Sequence, residues 1–374
     1  MVWTWDDIEG QWLRGARIAY SPEEAVAAFN LVERTLGREW MKTHNTTGNV
    51  TEIWGAGPTA TIVRMGLRLA SLKGLAGAEE LIRRILRKDV SAFAELTTIH
   101  LLRRDRPSVI VELGPDITVG GGPRKPDLRV REGARDPWTY VEVTQPDTSE
   151  AEERVQTVMT RVTAPISEIR KSFAVEIFLR REPTDAEVEA IVSHVRDLCS
   201  SDGVVRKELP GGLGLILLNQ TEPGSVVLDD HGETHVPRLG RAQAIGGGSE
   251  PHRHIAVRMA YSDERAERFL GREARQLPTD APGLIVIQMG RAPGGFKSWE
   301  PAIRQRFQPT IHTRVSAVCL LGGGSVATPE GEKQLSETKL IVNPHAALLL
   351  PGWIVDTLTK AGEEYERYTR PPKT

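Results

Sequence analysis

The chain has 374 residues, 39% of them hydrophobic and 26% charged, which is enough for a full hydrophobic core in two or three domains. No apolar run approaches the ~18 residues of a membrane span and the start does not read as a secretory signal, so we expect a cytoplasmic protein with no membrane partner. The 48 Lys and Arg against 50 Asp and Glu exclude a global positive field, so any nucleic-acid surface must be local.

Residues 1–89 are predicted to form an N-terminal helical region. The Ser21-Pro22 pair, followed by acids and by apolar residues at three- and four-residue intervals, predicts an amphipathic helix with an N-cap. The predicted helices cover about 21–45, 58–73 and 78–104, the last with a joint near Asp89.

Residues 90–180 are predicted as a separate core. After the helix that ends near 104, short β-type runs at 108–113, 126–131 and 138–145 alternate with turns and indicate a meander of three strands. A helix at 149–171 and a buried strand at 173–179 follow, and such a crossover should return that strand parallel to its predecessor. The predicted order is therefore α-β-β-β-α-β.

Residues 181–374 are predicted as an α/β C-terminal extension that either stands alone or continues the same sheet. Its predicted helices cover 185–200, 262–276 and 299–307. Its predicted strands cover 213–219, 254–260, 283–289, 313–321 and 337–343.

Two acids in the meander could form a binding site for a metal cation. Asp127 opens the second strand and Glu142 lies in the third, so the hairpin between them can place both carboxylates at one end of a sheet. With the carbonyl of Val143 they offer an all-oxygen site, which suits Mg²⁺ or Mn²⁺ holding several waters. The alternatives without a catalytic function are a turn-capping role for Asp127 and a solvent-facing position for Glu142.

The pattern Pro126-Asp127, then Glu142-Val143-Thr144 in the third strand, resembles the PD-(D/E)XK nucleases of the restriction-endonuclease-like superfamily. The resemblance covers about residues 90–180. It implies a restriction-endonuclease-like fold, Asp127 and Glu142 as metal ligands, and Glu95 of the first core helix as an auxiliary acid.

Thr144 departs from the pattern, because the family places a lysine there to polarise the attacking water and stabilise negative charge. The chain has 11 lysines, and Lys125, two residues before Asp127, is the leading substitute. Gln145 and Lys171 are weaker candidates. For Lys125 the alternative is a solvated turn lysine.

Two other motifs have ordinary explanations. The loop 290–298 approaches a phosphate-binding P-loop, but Phe296 separates the last glycine from Lys297, so a plain strand-to-helix turn is favoured. The histidines at 231, 235, 252 and 254 include an H-x-H, yet no cysteine or acid completes a metal set.

These observations predict an Mg²⁺-dependent hydrolase of DNA phosphodiesters, with a homodimer as one option. Basic residues at 83–88, 103–106 and 124–125 form local groups that can hold a phosphate backbone. The competing hypotheses are an inactive nuclease-like fold that binds nucleic acid or protein, and an unrelated α/β protein in which the motifs are coincidental.

Overall fold

The computed structural model describes residues 2–11, 17–41, 58–119, 122–146, 150–200, 204–219, 238–245, 251–260, 265–289 and 295–369. It confirms the predicted α/β class. The chain divides into two compact units. Unit 1 comprises Met1–Pro146, Ala266–Arg291 and Glu300–Thr374, and unit 2 comprises Asp147–Arg265 and Ala292–Trp299.

The helices are α1 Trp5–Gln11, α2 Pro22–Leu36, α3 Pro58–Ala70, α4 Ala78–Leu86, α5 Val90–Arg103, α6 Glu150–Ser167, α7 Asp185–Leu198, α8 Arg265–Glu273, α9 Gly295–Arg306 and α10 Gly352–Thr369. The strands are β1 Ile110–Leu113, β2 Ile117–Val119, β3 Gly122–Arg124, β4 Leu128–Arg131, β5 Thr139–Thr144, β6 Phe173–Leu179, β7 Val204–Leu209, β8 Gly214–Asn219, β9 Arg238–Ile245, β10 Arg253–Ala260, β11 Gly283–Gln288, β12 Ala317–Thr328 and β13 Gly331–Val342.

The N-terminal helices follow their sequence signals. Ser21 caps α2 in a reciprocal capping box with Glu24, which satisfies two backbone donors of the first turn. The predicted joint near Asp89 is confirmed, because Asp89 caps α5 by accepting hydrogen bonds from the backbone of Ser91 and Ala92. The helix predicted to reach residue 45 ends its regular span at Leu36, before Gly37.

Unit 1 contains a six-stranded sheet in the order β1-β4-β5-β11-β12-β13. The predicted meander is confirmed as the antiparallel strands β1, β4 and β5. The strand β11 then pairs parallel with β5, and β12 and β13 extend the sheet. Three strands between residues 283 and 342 therefore lie in the same sheet as the meander.

The predicted crossover is wrong in its residues. Strand β6, expected beside β5, lies in unit 2 and pairs with β8 and β10 instead. Within unit 1 the next helix after the meander is α8, and the strand that pairs parallel with β5 is β11. The larger segment of unit 2, Asp147–Arg265, lies in the chain between β5 and β11. The strand that follows β5 in the chain is therefore not its neighbour in the sheet.

Unit 2 contains a five-stranded sheet in the order β7-β8-β6-β10-β9. Buried residues of α6 and α7 form one hydrophobic cluster with alternate residues of β6, β8 and β10. Strand β6 is buried along its whole length, as expected for a strand inside a sheet. Among its described strands β6 and β10 pair parallel, and the other neighbouring pairs are antiparallel.

The predicted boundaries at residues 89 and 180 are corrected by the packing. One hydrophobic core runs from Trp3 through α5 and the sheet to Ala361 in α10, so the N-terminal helices belong to the same unit as the meander. Its last helix, α10, packs against β13. Among the described residues, no helix has both the length and the apolar character to cross a bilayer.

Candidate active site

The hairpin of β4 and β5 places the two predicted acids opposite each other. Leu128 pairs with Val141, so the next positions outward, Asp127 and Glu142, face each other at the open end of the hairpin. Asp127 Oδ2 accepts the backbone N–H of Val143 at 2.7 Å, in place of a strand carbonyl. This hydrogen bond fixes the Asp127 carboxylate beside Glu142.

Glu142 is buried in the middle of the sheet. Its residue is 5% exposed, and β5 has β4 on one side and β11 on the other, with Glu142 opposite Ile285 of β11. The side chain donates a hydrogen bond to Asp127 when protonated. Its other oxygen, Oε1, is buried without a hydrogen-bond partner among the described residues.

Glu95 is held by a guanidinium. It lies on α5 and is buried, and Arg84 of α4 donates to both of its carboxylate oxygens at 2.7 and 2.9 Å. The same Arg84 donates to Asp89, the cap of α5, at 2.8 Å. Glu95 is therefore oriented by Arg84, and the charge of Asp127 acts on its pKa, which places the predicted auxiliary acid near the pair.

Two site residues come from α8 and were missed in the sequence. Glu273, at the end of that helix, is buried, and its charge raises the pKa values of both Asp127 and Glu142. Arg272 donates from Nη2 to Thr144 Oγ1 at 3.0 Å and from Nε to Glu273 Oε1 at 2.7 Å. We call Glu95, Asp127, Glu142 and Glu273 the carboxylate cluster.

Thr144, where the PD-(D/E)XK pattern would have a lysine, thus accepts a hydrogen bond from a cation. The Arg272 guanidinium stacks on the Phe269 ring at 4.6 Å, and its side chain is 56% exposed. A guanidinium keeps its charge at every physiological pH, so the positive charge that a threonine cannot supply is present one hydrogen bond away.

The other candidates for the lysine role have different surroundings. Lys125 is exposed and its Cε lies 2.8 Å from the position that a Cβ on Gly114 would occupy. Lys171 belongs to unit 2, where its ammonium donates to the Cys199 carbonyl at 3.0 Å. Gln145 is half-buried beside Thr144, and its Oε1 has no hydrogen-bond partner within the described ranges.

The carboxylate cluster is buried and holds more acids than bases, so the pKa values of its acids are raised. Burial raises the pKa of Glu142 to about 10, with further contributions from the charges of Asp127 and Glu273. Burial raises the pKa of Glu95 to about 7 against the opposing effect of Arg84. Burial also raises the pKa of Asp127. At neutral pH the pair of Asp127 and Glu142 therefore shares a proton.

The shared proton predicts how the stability of the protein depends on pH. A carboxyl whose pKa is raised by folding contributes stability below its unfolded pKa, and that stability is lost as pH rises toward the folded value of about 10 for Glu142. Glu142→Gln is neutral at every pH and keeps a donor toward Asp127. In chelator we expect it to be more stable than wild type at pH 8 by about 2 kcal/mol and equal to it near pH 4.5.

Denaturant unfolding at the two pH values measures this difference. Glu112→Gln in β1 is the matched control, because Glu112 is a partly exposed acid of the same sheet that pairs with Arg129. A stability difference between Glu142→Gln and wild type that is the same at both pH values would contradict the shared proton.

A hard cation requires oxygen ligands. Within the described ranges, no group of three or more His, Cys, Asp or Glu side chains is arranged to hold a metal ion. Mg²⁺, however, commonly takes only one or two carboxylates and keeps its water. Two adjacent carboxylates with the unpartnered Glu142 Oε1 fit that requirement. The carbonyl of Val143 as a further ligand stays a prediction.

The remaining sequence motifs fall in unit 2 or outside the described residues. The P-loop-like segment 290–298 falls mostly outside the described residues, as do His231 and His235. His254 lies in unit 2, where burial lowers its pKa. Both cysteines are buried and reduced.

Comparison of the sequence with models of known protein families and with curated proteins gives no match.

Proposed function

We propose that unit 1 is a nuclease that hydrolyses DNA phosphodiester bonds with Mg²⁺ or Mn²⁺, on a restriction-endonuclease-like core. The observation that carries the proposal is the carboxylate pair of Asp127 and Glu142, which meets at the open end of a central hairpin with one buried oxygen unpartnered. The order α5, β1, β4, β5, α8, β11 supports it, because it supplies α-β-β-β-α-β in one unit once the insertion is set aside.

In this proposal Asp127 and Glu142 would hold the cation. When bound, such an ion lowers the pKa of a coordinated water and neutralises charge on a phosphodiester. Glu142 must lose its proton to become a ligand, so binding is expected to release about one proton near pH 7. The Asp127 carboxylate is preoriented by the Val143 N–H.

Arg272 supplies the cationic function in the proposal. Its guanidinium bridges Thr144 and Glu273 at the edge of the cluster, and its exposed side chain is accessible to a phosphate. A fixed positive charge there stabilises negative charge that develops on the phosphate in the transition state. Glu95 and Arg84 act as positioning residues, because their ion pair joins α4 to α5, the helix that packs against the strand carrying Glu142.

The DNA backbone has basic residues to contact next to this site. Arg87 and Lys88 are exposed at the end of α4, the helix that also carries Arg84, and Arg124 and Lys125 are exposed before Asp127. By contrast, Arg104 and Arg106 of the sequence-predicted basic group are engaged with Glu364 and Glu132. The first set is therefore the proposed phosphate-contacting surface.

A cleavage assay tests the proposal. We expect purified protein to degrade linear double-stranded DNA in Mg²⁺ or Mn²⁺ and not in chelator, with a rate that rises from pH 6 to pH 9 as Glu142 loses its proton more easily. Circular DNA, single-stranded DNA and RNA in parallel define the substrate. Metal-independent cleavage, or a rate that falls over this pH range, would contradict the two-carboxylate site.

The second candidate is an inactive nuclease-like module that binds nucleic acid. The ion pair between Arg272 and Glu273, at 2.5 Å, favours this inactive module. A guanidinium whose charge is neutralised by a carboxylate is a weaker electrostatic catalyst. Salt-dependent DNA binding without cleavage under every metal condition would establish this alternative.

A further inference from the structure

The meander has one face toward the hydrophobic core and one face away from it. Side chains alternate between the two faces of a strand, and Leu128, Val130 and Val141 belong to the core that also contains the N-terminal helices. The residues between them lie on the opposite face, which we call the outer face. On it lie Arg129 and Arg131 of β4, Tyr140 and Glu142 of β5, and Trp138, which directly precedes β5. The outer face therefore joins aromatic and basic side chains to the carboxylate pair.

Arg131 is a cation of the outer face that the protein itself does not neutralise. Its guanidinium carbon lies 4.1 Å from the centre of the Trp138 ring, and the side chain is partly exposed. Within the part of the chain that the structure describes, Arg131 has no ion pair, and its Nε is buried without a hydrogen-bond partner. A cation–π contact orients a guanidinium and leaves its charge in place. An oriented, charged donor group without an acceptor in the protein favours an external anion.

The other charges near Arg131 cancel in pairs. Arg129 donates to one oxygen of Glu112 at 2.6 and 2.9 Å, and Glu132 pairs with an arginine that follows α5. The hairpin loop 133–137 adds one arginine and one aspartate. The charge of Arg131 is therefore the net charge of this end of the outer face, and it is positive.

Tyr140 adds a neutral donor between Arg131 and the carboxylate cluster. Its hydroxyl oxygen accepts a long hydrogen bond from Arg129 Nη1 at 3.4 Å, which leaves its own O–H able to donate. The side chain is partly exposed and stands opposite Arg129 in the register of the hairpin. Tyrosine hydroxyls and arginine guanidiniums are both common donors to the phosphates of DNA.

The geometry of β5 sets the spacing of these donors from the carboxylate pair. At a rise of about 3.3 Å per residue, Tyr140 lies about 7 Å from Glu142 along the strand, and Trp138 with Arg131 lies about 13 Å away. Since a DNA strand advances about 3.4 Å along the helix axis per nucleotide, these distances correspond to about two and about four base pairs. The two donors can therefore follow one DNA backbone as it leaves the carboxylate pair.

We propose that Tyr140 and Arg131 form a track that binds the phosphate backbone of double-stranded DNA to one side of the bond that is cleaved. This inference rests on the proposed function, since it takes DNA as the ligand and the carboxylate pair as the place of cleavage. Trp138 is a positioning residue of the track, because it orients Arg131. None of these residues belongs to the proposed phosphate-contacting surface beside α4 and Asp127, so the track is a second contact.

Binding of a short fluorescent DNA duplex in chelator, measured by anisotropy at several salt concentrations, tests the track without metal-dependent cleavage. Arg131→Met is expected to weaken binding by about tenfold, the effect of losing a charged hydrogen bond. It should also lower the slope of log affinity against log salt by about one, because one phosphate contact fewer releases about one counterion fewer. Tyr140→Phe removes only a hydroxyl and should weaken binding by about threefold. Its salt slope should equal that of wild type, because the lost donor is neutral.

Two variants on the core side of the sheet are matched controls. Arg34 is an exposed arginine of α2, and Tyr368 is a partly exposed tyrosine of α10. Buried residues of both helices belong to the core that the outer face turns away from. Arg34→Met and Tyr368→Phe should therefore bind the duplex with the affinity and the salt slope of wild type.

Cleavage kinetics separate the track from the chemistry. Arg131→Met should raise KM for DNA by about tenfold and leave kcat unchanged, since the contact is the same in the ground state and the transition state. Wild-type affinity and salt slope in Arg131→Met, an equal loss in the controls, or no binding of the duplex by wild type would overturn the track. Cleavage that is indifferent to Arg131 would leave the nuclease without the track. Binding that depends on Arg131 in a protein that cleaves nothing would support the track and contradict the nuclease.

Discussion

Glu142→Gln and Asp127→Asn are each expected to lower metal-dependent DNA cleavage by at least about 10³-fold while the protein stays folded. Both substitutions preserve shape, and the asparagine oxygen can still accept the Val143 N–H that Asp127 accepts at 2.7 Å. Each removes one carboxylate of the proposed cation site. The measurement is initial cleavage rate in Mg²⁺, with the circular dichroism spectrum as the check on folding.

Glu112→Gln serves again as the matched control, since it removes an acid from β1 without touching the carboxylate cluster. Its rate should equal that of wild type. Full metal-dependent activity in either Glu142→Gln or Asp127→Asn would place the catalytic site elsewhere in the protein. Loss of activity together with loss of the folded spectrum would require the stability comparison in chelator before the rates are interpreted.

Arg272→Met is expected to lower the cleavage rate at saturating DNA by about 10²-fold, the usual effect of removing one electrostatic stabiliser of a transition state. Methionine keeps an apolar stem that can pack on Phe269, which the guanidinium stacks on at 4.6 Å. Cation affinity should change little, because Arg272 donates to Thr144 and Glu273 rather than to the Asp127 and Glu142 pair. Arg272→Lys should recover part of the rate.

Lys125→Ala is the informative comparison for Arg272→Met, because Lys125 is the substitute that the sequence suggests. We expect its main effect on DNA affinity, as for an exposed phosphate contact, with a weaker salt dependence of binding. The opposite pattern, a large loss of rate in Lys125→Ala and none in Arg272→Met, would assign the cationic role to the lysine.

The local part of the candidate site is predictable from sequence. Asp127 and Glu142 lie on consecutive strands of a hairpin, so alternation and turn residues alone place them together. The Asp89 cap that orients the Glu95 helix is equally local. In both cases the information lies within one or two neighbouring elements.

The distant part of the site is not predictable in the same way. Thr144 and Arg272 are 128 positions apart, and only the parallel pairing of β5 with β11 brings α8 to the cluster. In a usual β-α-β crossover the next helix and strand in the chain return beside the first strand. Applied to this sequence, that expectation predicts β6, and not β11, as the neighbour of β5. One signal was present, since the 262–276 helix precedes a strongly apolar strand suited to the centre of a parallel sheet.

Several short or edge strands have no clear signal in the sequence, for a different reason. The hairpin of β2 and β3 has only three residues per strand, too few to show alternation. Strand β7 reads VVRKEL, with charges that mask its pattern, and it lies at the edge of its sheet, where polar residues are common. Edge and short strands depend on pairing partners more than on their own composition.

The insertion of unit 2 imposes an order on synthesis. β4 and β5 can close their hairpin as soon as both leave the ribosome, because the loop between them is short. At typical translation rates, on the order of ten seconds then pass before β11 emerges to pair with β5. During that interval one edge of β5 is unpaired and open to mispairing, and Arg272 has not yet been made. The nascent chain therefore carries Asp127 and Glu142 before Arg272, and the proposed site is complete only when the last third of the polypeptide is being made.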